Sequence, residues 1–278
     1  MNGGKPILLS ESFGTAPNQQ YPYPPFVEKF TSLTLDNSWY QLRTPYTENF
    51  RFSTRPDHDI ASGNCSYTSG FGLVFRPNVF GLSDRDVPAA ILRKQKSLNM
   101  TFSATLLPTT NGTLGYLQSI GISSYLSEFQ HQDIGIRGCA YNTGLCFYSS
   151  LLMNGTSLVG HPPRFSHPAP ANLASQTNEV SLNQTTIPSN TTLHIRATPL
   201  TYHLGYSLSR EPIMWLASVS SSWLAFAPTN FFVFEGASFA LFASGNGNPW
   251  PTDAPNVGFE QVNEVYFEED IPDYDIWT

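Results

Sequence analysis

The rhythm of the sequence constrains this chain more than any other property. Short runs of alternating apolar and polar residues recur along it, among them "WYQLR" from residue 39, "FGLVF" from residue 71, "AAILRKQ" from residue 89, "MTFSATLL" from residue 100, "SIGISSYL" from residue 119, "LHIRATPLTYHLGYSL" from residue 193 and "SFALFAS" from residue 238. Gly, Pro, Asn, Asp and Ser cluster between the runs, which is the punctuation of turns. No segment places apolar residues at the three-and-four spacing of an amphipathic helix over several turns. A short strand cannot bury its apolar face alone, so many such strands are satisfied by packing one sheet on another. The predicted class is therefore all-β, with two antiparallel sheets forming a β-sandwich.

The chain has 278 residues, 40% of them hydrophobic, which is ample for a real core. Only 13% are charged and the net charge is -7, so no basic surface is offered to phosphates and nucleic acid is excluded as a partner. The apolar stretch "SSWLAFAPTNFFVFEGASFALFA" is broken by Pro228, Asn230, Glu235 and Gly236, short of the roughly 20 unbroken residues a membrane-spanning helix needs. A membrane role is excluded on that ground. Residues 14–25, "GTAPNQQYPYPP", hold four prolines and cannot sustain a hydrogen-bonded ladder. Residues 1–29 thus read as a linker or extended arm, and 30–278 as the β-sandwich. Within the latter, residues from about 154 to 192 are polar and proline-containing, with too few apolar groups to offset the entropy of ordering them. They are expected to form a surface insertion.

Six Asn-x-Ser/Thr sequons, at Asn64, Asn99, Asn111, Asn154, Asn183 and Asn190, together with scarce Lys, point to a secreted glycoprotein, although the N-terminal "MNGGKPILLSESFG" lacks the apolar stretch of a signal peptide. Cys139 and Cys146 bracket "AYNTGL", whose turn residues allow a disulfide across a hairpin and leave Cys65 over. The six histidines fall in no zinc spacing, so no metal ligands are assigned. "SGNGNPWPTDAPN", from residue 244, is rich in oxygen donors and is the one place where calcium is conceivable, but its composition is first that of a turn. The stretch "YLSEFQHQDIGI", from residue 125, reads as a strand with polar groups on both faces: Glu128, Gln130 and Gln132 on one, Phe129, His131 and Asp133 on the other. One acid beside two amides does not make the paired carboxylates of a glycosidase, since an amide neither protonates a leaving group nor attacks a sugar. Glu128, Gln130 and Gln132, with Trp250 in its proline-flanked loop, are instead candidates for carbohydrate contact, and no catalytic residue is assigned.

The stretches "WYQLRTPYT", "AAILRKQ", "YLSEFQHQDIGI" and "FEGASFALFASGNG" occur in an order that resembles the C-terminal module of fungal β-xylosidases and arabinofuranosidases of glycoside hydrolase family 43, and "NGGKPI" at residues 2–7 is similar to the junction preceding that module. The resemblance implies a concanavalin A-like jelly roll. It also implies that the hydrolytic acids lie on a separate catalytic propeller, so that this chain has no activity of its own. By the same resemblance Phe234, followed by Glu235 and the Gly236-Ala237 turn, is the residue sent toward the catalytic pocket. Three readings follow: an accessory module that packs on a catalytic glycoside hydrolase domain acting on xylan- or arabinoxylan-type carbohydrate, a free-standing lectin-like carbohydrate-binding module, and an independent glycosidase. The first accounts best for the junction and the polar strand.

Overall fold

The structure, a computed structural model, describes residues 23–58, 65–110, 113–116, 118–139, 144–153, 156–157, 179–209, 211–221, 236–252 and 254–267. Its strands are β1 Phe26–Glu28, β2 Trp39–Tyr40, β3 Phe50–His58, β4 Cys65–Phe75, β5 Ala89–Lys94, β6 Met100–Leu106, β7 Ser119–Ser127, β8 Gln130–Gly138, β9 Leu145–Met153, β10 Thr156–Ser157, β11 Glu179–Ser181, β12 Thr191–Ala197, β13 Thr201–Leu208, β14 Met214–Ser220, β15 Ser238–Ser244 and β16 Val257–Tyr266. No α-helix occurs among the described residues; a 3₁₀ turn lies at Thr47–Asn49. The first sheet runs β14-β13-β12-β6-β16-β4-β3 with β1 also on β16, and the second runs β10-β9-β8-β7-β15-β5-β2 with β11 also on β9. All of these strand pairs are antiparallel. The chain is a two-sheet β-sandwich.

Strand β12, "TTLHIRA", shows why these residues make strands. Thr191, Leu193, Ile195 and Ala197 are buried while Thr192, His194 and Arg196 are half-exposed, the period of two expected of a sheet with one covered face. The buried set packs over β7 and β8 of the opposite sheet, as β13 packs over β8 and β14 over β9. Phe102 of β6 stacks on Phe239 of β15 across the gap at 4.7 Å between ring centroids, and Phe147 of β9 stacks on Tyr206 of β13. Strand β15, "SFALFAS", is buried on both sides. Phe239, Leu241 and Ala243 enter the main core, while Ala240 and Phe242 join Leu82, Ala90, Leu92 and Tyr125 in a smaller apolar cluster on the outer face of the second sheet.

One charged pair sits inside the sandwich. Arg93 of β5 and Glu264 of β16 join the two sheets through Nε and Oε1 at 2.6 Å, and both side chains are almost completely buried. The Tyr266 hydroxyl donates to the second carboxylate oxygen, and Arg93 also donates to Ser38 Oγ. The guanidinium lies 3.5 Å from the centroid of Phe26 and 6.0 Å from that of Trp39, so β1 and β2 form its lid. Burial, and then the Glu264 carboxylate, hold the Tyr266 phenol well above its usual range.

Two expectations are corrected. Sheet pairing begins at Phe26, inside the segment read as an arm, because Phe26, Val27 and Glu28 complete the edge of β16 opposite Glu264, Asn263 and Val262. The end of the polar insertion belongs to the fold: β11 pairs with β9, Ile187 is buried in the core with its N–H on Thr109 Oγ1, and β12 starts at Thr191. Strand β14, "MWLASVS", was not anticipated from its pattern, since Met214 and Trp215 stand exposed next to each other. Cys139 and Cys146 are joined in a disulfide at the mouth of the β8–β9 connection, with 5.2 Å between Cα atoms.

Candidate functional site

The polar stretch "YLSEFQHQDIGI" is a hairpin rather than one strand. It leaves β7 at Ser127, turns through Glu128 and Phe129, and enters β8 at Gln130, with a register irregularity between Tyr125 and Ser127. The turn resets which residues share a face. Gln132 lies in one row with Phe239, Ser124 and Leu151, and Ile134 follows with Leu241, Ile122 and Ser149, so this side of β8 looks into the sandwich. On the opposite side Tyr125, His131 and Leu152 form one row, Ser123, Asp133 and Ser150 the next, and Gly121, Gly135 and Tyr148 a third.

This side is polar, lies beside the smaller apolar cluster, and is buried as well. His131 Nδ1 lies 2.9 Å from Asp133 Oδ1, and its ring stacks on Tyr125 at 5.9 Å. Tyr148 is crossed by the Arg137 guanidinium at 4.8 Å, and Arg137 is itself paired with Glu179 at 3.3 Å. Burial first, and the nearby Asp133 carboxylate second, push the Tyr148 phenol far above its ordinary range, so it stays neutral. Gly121 and Gly135 face each other because nothing larger fits: a Cβ on Gly135 would stand 2.4 Å from the Ile120 carbonyl oxygen and 3.0 Å from the Tyr148 ring. The rings of Tyr148 and Phe242 occupy the space the two glycines leave.

The arrangement lacks the hydrogen bond of a nucleophilic triad. A nucleophilic triad needs a hydroxyl bonded to the imidazole, yet Ser123 Oγ and His131 Nε2 are both buried without a hydrogen-bond partner and so are not bonded to each other.

The residues singled out for carbohydrate contact lie elsewhere. Glu128 sits at the hairpin turn in ion pairs with Arg85 at 2.9 Å and Arg43 at 3.6 Å, and Arg85 also lies over Phe129. Gln130 and Gln132 are buried, Gln132 on the interior face, so the face assignment made from one continuous strand is inverted. Trp250 is half-buried against the main core instead of free in its loop. His131 and Asp133, set aside in the sequence, are the groups on the side facing away from the core, where both are buried; the signal that finds them is "HQD", two polar residues at the period of a strand.

Gly236 is exposed with nothing near its Cα hydrogens, and the Gln95 N–H and Lys94 Nζ reach the carbonyls of Ala237 and Gly236 at 3.0 and 3.2 Å. Phe234 and Glu235 lie outside the described residues. So do Asn64, Asn111 and Asn154 of the sequons. Asn99 is buried and its amide oxygen accepts from Arg196 at 2.6 Å, whereas Asn183 and Asn190 are exposed at left-handed turn positions that suit Asn. In the stretch considered for calcium, Ser244 and Asn246 are spent on turn hydrogen bonds, with Ser244 Oγ on the Phe80 carbonyl and Asn246 Nδ2 on Ser119 Oγ. No helix of the described residues is long and apolar enough to cross a membrane.

No protein-family model matches the sequence, and no curated protein matches it. Solved structures do match. A family 43 glycoside hydrolase of a xyloglucan-utilisation locus in Bacteroides ovatus superposes with a TM-score of 0.63 at 16% identity, over 90% of this chain and 41% of that one. A family 43 enzyme from Bacillus licheniformis gives 0.62 at 13% identity, over 87% and 39%, and a xylan β-1,4-xylosidase from Bacillus halodurans gives 0.58 at 15%, over 89% and 40%. The likeness is one of fold. This chain spans about two-fifths of each of these enzymes, and the organisms are not fungi.

Proposed function

We propose that this chain is the accessory β-sandwich of a hemicellulose-degrading glycoside hydrolase, packing on a catalytic propeller of family 43 type and shaping its pocket. The observation that carries the reading is the asymmetry of the likeness, which takes in 87% to 90% of this chain but 39% to 41% of each enzyme. The sandwich end that holds Gly236 and Ala237 adds support. Gln95 ties that turn to Tyr202, and Leu98, Leu200 and Phe267 around the same strand ends are exposed, Leu200 by 70%. Apolar side chains gathered at one end of a soluble sandwich suit coverage by another domain. Phe234 and Glu235 belong to this contact in the proposal, the carbohydrate is of xylan or arabinoxylan type, and the site of action is extracellular. A free-standing carbohydrate-binding module is the second reading.

The test joins this chain to a family 43 propeller and measures turnover of an aryl β-xyloside. The propeller with the module is expected to bind substrate more tightly or turn it over faster than the propeller alone. Phe234→Ala is expected to remove that gain while the module's melting temperature is unchanged. The isolated chain is expected to hydrolyse neither aryl xylosides nor arabinosides. Identical kinetics with and without the module refute the proposal.

A further inference from the structure

Resting on the accessory reading, we propose that residues 23–30 are a strap that fixes where a preceding domain meets the sandwich, and that this place is the end carrying Gly236, Leu98, Leu200 and Phe267. The direction of the chain decides it. Strand β1 runs antiparallel to β16, with Phe26 opposite Glu264 and Glu28 opposite Val262, so the chain ahead of Phe26 continues toward Tyr266 and Phe267. Tyr23 has already arrived there, its ring 5.4 Å from that of Tyr266. Tyr266 stands opposite Met100, and the Phe267 N–H donates to the Asn99 carbonyl, beside Leu98. Met100 in turn stands opposite Ala197, at the start of the turn that holds Leu200. The chain therefore enters the sandwich at the end where Leu98, Leu200 and Phe267 are 54%, 70% and 39% exposed. The direction of entry owes nothing to those side chains, so two independent features mark one end.

The strap is pinned along its length. Tyr23 and Phe26 pack on the main core, and the Phe26 ring lies 3.5 Å from the Arg93 guanidinium. Phe30 is buried, sits 6.2 Å from the Trp39 ring and takes a φ of 52°, a left-handed conformation that a Phe keeps only where its surroundings hold it. Glu28 Oε1 accepts the Phe30 N–H at 2.7 Å and closes that turn. Pro24 and Pro25 have fixed φ and no N–H, so the lead into β1 is stiff. A seal needed only by the sandwich calls for Phe26 over Arg93, and not for a clamp as far out as Tyr23. A tether between two independent domains is flexible where it joins the fold. This one is stiff and clamped by rings at that point, which holds a preceding domain in one orientation.

The experiment places a family 43 propeller ahead of the whole chain and compares three proteins: the parent fusion, Phe26→Ser, and a form with about a dozen Gly/Ser residues inserted between Pro22 and Tyr23. The insertion leaves the strap in place and frees only its lead, so the module keeps its melting temperature. Small-angle scattering and kcat/KM on an aryl β-xyloside are read together. The parent fusion is expected to scatter as one compact particle. The insertion and Phe26→Ser are each expected to lengthen the particle and to cut the module's gain in kcat/KM by about threefold or more, because the domain contact then forms at a lower effective concentration. In the chain without a propeller, amide exchange checks that Phe26→Ser acts locally: the N–H groups of Val262, Asn263 and Glu264 that face β1 lose protection while those of β15 keep theirs. A compact particle and an undiminished gain in the insertion form would overturn the strap and leave the accessory role standing, with the apolar end alone holding the partner. Loss of the gain in Phe26→Ser but not with the insertion would reduce the strap to a seal and overturn it as well. No gain in the parent fusion would overturn both readings.

Discussion

Replacing Glu264 by Gln keeps the volume of the side chain and removes its charge, which leaves the Arg93 guanidinium in a dry pocket between Phe26 and Trp39 without a counter-ion. With 2% and 0% exposure for the two residues, water does not screen the change. Breaking one side of such a pair costs about 3–5 kcal/mol, against about 5–15 kcal/mol for the whole stability of a typical domain. Arg93→Met strands the Glu264 carboxylate with the Tyr266 hydroxyl as its remaining named partner and has a similar cost. The double variant Arg93→Met with Glu264→Leu removes both charges and fills the space with apolar atoms, so it is expected within about 2 kcal/mol of the parent. The coupling is then at least about 4 kcal/mol. Urea unfolding followed by tryptophan fluorescence reads it directly, since Trp39 stands beside the pair. High salt should leave the single-variant losses unchanged, because buried charges escape ionic screening. Single losses below about 1 kcal/mol, the scale of an exposed pair, or a double variant that costs the sum of the singles, would refute this account.

Two further outcomes are expected. Removing the disulfide with Cys139→Ser and Cys146→Ser frees a loop closed over a sequence separation of seven residues and lowers stability by about 2–3 kcal/mol in the chain-entropy picture; an unaltered midpoint in urea would count against it. Burial holds His194 at about 4, below the unfolded value near 6.5, so the unfolded chain takes up this proton first and the His194 contribution is complete above about pH 6.5 and is lost as the pH falls toward 4. His194→Gln should flatten the difference in stability between those two pH values by about 1–3 kcal/mol, and an identical slope in the variant would contradict the assignment.

What the sequence made legible were features set by neighbours along the chain. Alternation located β12, because burial on a sheet acts on every second residue, and the absence of helical periodicity gave the class. The hairpin at Glu128 and Phe129 was hidden since its turn carries no Gly, Pro, Asn or Asp, and the irregularity at Tyr125 to Ser127 shifts the face count. Within β8 Gln132 faces the core and His131 and Asp133 face away from it, and all of them, with Gln130, are buried. The Arg93–Glu264 pair was out of reach for another reason. In "AAILRKQ" an Arg beside a Lys looks like a solvated strand end, and its partner lies 171 residues away in sequence.

The pairing of β1 with β16 has a consequence in time. Phe26 stands opposite Glu264, so this three-residue strand joins positions separated by almost the whole described chain. A contact of that range returns nothing until nearly everything between its ends has been gathered, which puts its closure late on the folding path and makes the path slow. Until it closes, the guanidinium of Arg93 lacks its Phe26 cover and stays partly hydrated. The final docking of β1 therefore expels the last water from the ion pair, and the same step run backwards is the cheapest way for water to re-enter the sandwich.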